Sequence, residues 1–204
     1  MPSIAQVSVG GKVTASKTNE IITAVNLQGT TRIIPTAATN GSVSAAGVVT
    51  STAQTLVRVR DAFPSGYRVF RIIFDVTMSA ATGTLIRLAV DGTDAATNYD
   101  FEQLRAFSTT VDASQSLAQT AGALSPLGVA AMRHFGELLI TDPNVAARTL
   151  YTASTVGTVD PMTTSSGKLA VAGQHRTATA YNSINFFGAS GNITVNRLTV
   201  EGVS

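Results

Sequence analysis

Cysteine and tryptophan are absent from this chain, histidine occurs only at His134 and His175, and charged side chains make up 13% of its 204 residues. Each shortage excludes something. Without cysteine there are no disulfides, no thiolate nucleophile and no cysteine-ligated zinc. The lack of tryptophan, with aromatics at 6%, argues against a cleft that stacks on sugar rings. No apolar run approaches the ~20 residues a helix needs to span a bilayer. The most apolar segment, Val69 to Met78, is broken by Arg71 and Asp75. Met1-Pro2-Ser3 does not open a basic region followed by an apolar run, so no secretory signal is expected.

With hydrophobic residues at 44% and charge at about half the usual quarter, the surface must consist largely of Thr, Ser, Asn, Gln, Ala and Gly. Such a coat suits β-rich proteins that pack side by side in large assemblies. The formal net charge is only +2, and arginine supplies 11 of the 14 basic residues. These are scattered singly. Arg58, Arg60, Arg68 and Arg71 read as partners for Asp and Glu across strands or subunits rather than as a nucleic-acid patch. Neither a nucleic-acid nor a membrane partner is expected.

Residues 1–40 read as an anchoring arm. Ile4, Val7 and Val9 form a short alternating piece that ends in Gly10-Gly11. Thr14 or Ser16 can cap a short helix whose single apolar stripe is Ile21, Ile22 and Val25. Gly29 and Pro35 stop it. Thr30 to Ile34 is a further extended piece carrying Ile33 and Ile34. A helix so short is marginal alone in water and needs a partner surface. These eight apolar residues are the expected anchors.

Residues 41–204 read as one β domain. Leu56 to Arg60 alternates, and Tyr67 to Met78 places Phe70, Ile72, Phe74, Val76 and Met78 on one face with Arg71, Asp75 and Thr77 on the other. Leu85 to Val90 returns with Ile86, Leu88 and Val90 inward, and Asp91-Gly92 is a hairpin signal. Tyr99, Phe101 and Leu104 to Val111 suggest another strand. Residues 112–128 read as a loop, with a brief helix allowed at Ser114 to Gln119. Strands follow at Met132–Thr141 and Arg148–Thr155, then a loop at Val156–Gly167. Three more are expected at Lys168–Gln174, Asn182–Phe187 and Asn192–Val200. Seven or eight strands between turns predict an all-β fold: an antiparallel, jelly-roll-like β-sandwich with an N-terminal arm containing one short helix.

Chemistry-bearing patterns are scarce. Neither histidine has a nucleophile or paired-ligand motif, and both read as structural. Asp91, Asp94, Asp100 and Glu102 lack the spacing of a calcium loop. No phosphate-binding fingerprint occurs, Gly188 to Gly191 reads as a turn, and the Asn40 and Asn192 sequons read as chance. No catalytic, cofactor-binding or metal residues are expected, and no enzyme.

Three stretches resemble a known class. They are Val13 to Asn26; Phe63-Pro-Ser-Gly-Tyr67 with Leu88 to Gly92 and Asn98-Tyr99; and Ile184 to Gly188 leading into Ile193 to Val200. Together they resemble the small β-sandwich virion proteins of tailed bacteriophages, of capsid-decoration, head-fibre or tail-fibre type. The chain departs from that pattern after Gly188, where it continues through another strand. The resemblance implies a non-catalytic virion protein, assembled in the host cytoplasm, fixed to capsid or tail proteins by its arm and forming a homotrimer. A rival expectation is a tail-fibre module that binds a host-surface glycan through loops 112–128 and 156–167.

Overall fold

Period-two patterning becomes strand after strand in the computed structural model, which describes residues 29–107, 110–125, 131–158 and 166–203. Sixteen strands form among them. The first five are β1 (Thr30–Ile33), β2 (Ala37–Thr39), β3 (Ser42–Val43), β4 (Val49–Thr50) and β5 (Leu56–Arg60). Then come β6 (Val69–Met78), β7 (Thr84–Val90), β8 (Thr93–Asp94), β9 (Tyr99–Phe107), β10 (Thr110–Gln119) and β11 (Gly122–Ala123). The last are β12 (Arg133–Thr141), β13 (Thr149–Thr158), β14 (Ser166–His175), β15 (Ser183–Gly188) and β16 (Ile193–Val203). No helix occurs among the described residues.

Two sheets result. The larger runs β10-β9-β14-β13-β12-β6-β16-β4-β3, with β1 also on β16; the smaller runs β11-β7-β15-β5-β2, with β8 on β7. Every ladder is antiparallel. The fold is therefore all-β and consistent with a β-sandwich. One core joins the sheets. Phe70, Ile72, Phe74, Val76 and Met78 of β6 are fully buried, as their alternation predicts, and share the core with Val57, Val59, Ile86, Leu88, Ile184 and Phe186 of the smaller sheet. The rings of Phe74 and Phe186 meet across it at 5.9 Å. Each such side chain contributes roughly 1.5–3 kcal/mol by leaving water.

Several expectations need correction. Residues 112–119 are strand, not loop or helix: β9 ends at Phe107 and β10 pairs back along it from Thr110 to Ser116. A strand with both faces largely open to water has no apolar alternation, so its Ser/Ala/Gln composition hid it. The segment 156–167 shrinks from both ends, because β13 runs to Thr158 and β14 starts at Ser166. Val90, expected inward, is only half-buried. Ten strands reach five residues or more, against the seven or eight expected. The expected helix, with Ile21, Ile22 and Val25, lies outside the described residues, as do Ile4, Val7 and Val9.

Candidate functional site: the outer face of the large sheet

Strands exposed on one side normally carry polar residues there. Those of the large sheet mix large apolar side chains with the polar ones. In register across the strands, Val111 of β10 stands beside Ala106 of β9, Lys168 of β14, Val156 of β13, Phe135 of β12 and Asp75 of β6. The next rung on the same face is Ala113, Leu104, Ala170, Ser154, Glu137 and Ile73. Leu150 lies further along, beside Thr141 and Gln174. Five of the eight large apolar side chains left exposed among the described residues lie here: Leu104, Val111, Phe135, Leu150 and Val156 retain 47–67% of their surface in water. The face thus carries an apolar patch of the sort that marks interaction surfaces.

Two shallow grooves score it. One is lined by Glu102, Leu104, Ala113, Gln115, Ala170 and Ala172. It exists because alanines on β10 and β14 flank the larger Leu104. The other lies between Phe135 and Val156 on one side and Arg71, Ile73 and Glu137 on the other.

Arginine–carboxylate pairs neutralise most of the charge on this face, while Lys168 stays exposed with no salt bridge among the described residues. Arg133 donates from Nε to Asp75 Oδ1 at 2.7 Å and pairs with the second carboxylate oxygen as well. This bidentate contact holds the Asp75 carboxyl below the usual carboxylate range, against the opposing effect of its burial. Arg71 reaches Glu137 at 2.7 Å and Glu201 at 3.5 Å, and Arg32 adds a 3.4 Å contact to Glu201. Arginine elsewhere behaves alike. Arg58 pairs with Asp94, Arg68 with Asp142, Arg105 with Asp112 and Arg176 with Asp100.

Both histidines sit inside. His134 of β12 is fully buried, and its Nδ1 lies 2.9 Å from both Thr84 Oγ1 and Ser125 Oγ. Burial pushes its pKa down to about 4, so the ring is neutral at pH 7. A hydroxyl beside an imidazole is one element of a nucleophilic pair. Here the ring is buried in the core, and its Nε2 has no hydrogen-bond partner among the described residues. His175 is bonded at both nitrogens, Nε2 to the Thr97 carbonyl and Nδ1 to the Tyr181 hydroxyl. The four acidic residues near Asp91 disperse. Asp91 accepts from Asn182, Asp94 from Arg58 and Asn185, Asp100 from the Ala118 amide, and Glu102 from Gln115. Among the described residues no cluster of His, Asp or Glu is disposed to hold a metal ion.

The chain matches no family model and no curated protein.

Of the expected anchors within the described residues, Ile33 is buried in the core at the end of β1, whereas Ile34 points into solvent. Residues 30–33 pair with β16 and residues 37–39 with β5, so this part of the expected arm is woven into both sheets. The apolar outer face escaped the sequence reading, though a signal for it was present. In Arg133–Thr141 both alternation phases carry large apolar residues: Leu138 and Ile140 point into the core, while Phe135 and Leu139 point outward among Arg133, Glu137 and Thr141.

Proposed function

We propose that this chain is a non-catalytic structural protein of a tailed-bacteriophage particle, carried on the particle surface as a capsid-decoration or head- or tail-fibre component. In this reading the two sheets form the jelly-roll-like sandwich of small virion proteins, and residues 1–28 attach it to its neighbours. The observation that carries the proposal is the outer face of the large sheet. It carries large exposed apolar side chains and two grooves, and apart from Lys168 its charges are mostly paired, so covering it with another protein desolvates little unpaired charge. Six strands spaced ~4.8 Å apart and about nine residues long give it an area of roughly 700 Å². That is close to the ~800 Å² per partner of a standard specific interface. The low overall charge and the Thr/Ser/Ala coat favour the same close packing.

Quantitative mass spectrometry of purified particles tests it. A copy number approaching that of the major capsid protein supports decoration, and a handful per particle supports a fibre or tail position. Absence from the particles overturns the proposal.

A further inference from the structure

Sheet edges present unpaired N–H and C=O groups, and proteins blunt them with short strands, lysine, proline or bulges. Three of the four edges here are blunted in that way. The large sheet ends at β3, of two residues, and the small one at β11, of two residues, and β2, of three. The fourth edge is β10, ten residues long and paired with β9 alone among the described residues. It contains no lysine and no proline. Its single charge, Asp112, is held by two hydrogen bonds from Arg105 of β9. A bulge follows Ser116, where Ala118 takes a positive φ of 52° and its amide turns to Asp100. The straight, open stretch is therefore Thr110 to Ser116.

We propose that this edge pairs with the same edge of a second copy of the chain, antiparallel about a two-fold axis through Ala113. Strand alternation restricts the register, because outward-facing Val111, Ala113 and Gln115 must meet outward-facing residues of the partner. Centring on Asp112 would set two carboxylates directly opposite, which is destabilising. Centring on Ala113 sets Ala113 against itself, Asp112 against Ser114 and Val111 against Gln115. It uses the whole straight stretch and opposes no like charges. The two large sheets then become one, with their apolar outer faces on the same side. A second copy is the fitting occupant because the edge is self-complementary in this register and carries no unpaired charge to select an acidic or basic partner. The resulting symmetry is two-fold, not the three-fold that the virion resemblance implies, and it does not depend on the proposed particle role.

Sedimentation of the full chain over a concentration series tests the pairing, with two charge variants of β10 for its register. V111K/Q115K sets lysine against lysine at both contacts between copies. V111K/Q115E sets lysine against glutamate, while residues 111 and 115 within one strand stay about 13 Å apart. The expected result is a wild-type dimer, with dissociation about tenfold easier in the Lys/Lys variant than in the Lys/Glu variant, the gap closing in high salt. A short bismaleimide should cross-link A113C, the only cysteine then present, and not A170C on β14. A monomer at every concentration overturns the proposal. So does equal dissociation of the two charge variants, or cross-linking of A170C in preference to A113C, which would mean face-to-face association. Loss of the dimer on removing residues 1–28 would assign the contact to that segment and overturn it too.

Discussion

At Gly157 an added methyl group would meet the His134 ring and the Met132 sulfur, each 2.9 Å from the new carbon. Both neighbours are fully buried and cannot retreat. Gly157→Ala should therefore cost roughly 1–3 kcal/mol, read as a lower urea midpoint. The histidine above it makes stability depend on pH. In the unfolded chain it titrates near 6.5, and in the fold at about 4, so between those values the unfolded state binds the extra proton. Stability is then full above pH 6.5 and falls as the pH drops towards 4. Burial lowers the His175 pKa as well, with the same sign. Urea titrations at pH 7 and pH 4.5 should differ, and His134→Gln should reduce the difference. The held-down carboxyl of Asp75 acts only at lower pH still, because its stabilisation is lost below the unfolded carboxylate range. That neither histidine has motif neighbours was readable in the sequence. That Thr84 and Ser125 converge on one of them was not, since 50 and 9 residues separate them from His134.

Among the elements, β6 and β7 were legible because one phase of each is apolar and buried. The strand β10 was illegible for the converse reason: it is held by backbone pairing to β9 and by polar cross-strand pairs such as Arg105 with Asp112, with no apolar alternation to mark it. The same contrast separates two phenylalanines on neighbouring strands. Phe74 is fully buried, and Phe74→Ala should cost about 3–5 kcal/mol. Phe135 stands on the outer face with 59% of its surface exposed. Phe135→Ser should change the unfolding midpoint by no more than ~0.5 kcal/mol while weakening incorporation into particles. A loss of incorporation without a loss of stability is the signature of a contact surface. A variant that folds normally and incorporates normally would remove Phe135 from that surface.

For the whole molecule, composition foretold an all-β chain with little charge, but the division of labour between its sheets could not be read. That division depends on pairings between distant segments, such as β1 with β16 and β9 with β14. Those pairings also set where the chain can be shortened. Removing residues 1–28 leaves every described strand in place, so the β signature in circular dichroism should persist. Removing residues 1–35 takes away β1 and the buried Ile33. It should cost at least the roughly 1.5–3 kcal/mol of that side chain, read as a lower midpoint.

The pairing of Thr30 with Val203 and of Ile33 with Val200 brings residues 29 and 203 to the same corner of the large sheet. Tension between those two points would peel the β1–β16 ladder apart one pair at a time, because the bonds lie across the strands and break in sequence. A load entering at residue 29 and leaving through a strand in the middle of the sheet would instead shear several bonds at once. The molecule is thus a weak link when pulled between its first and last strands and a strong one when gripped by its broad face.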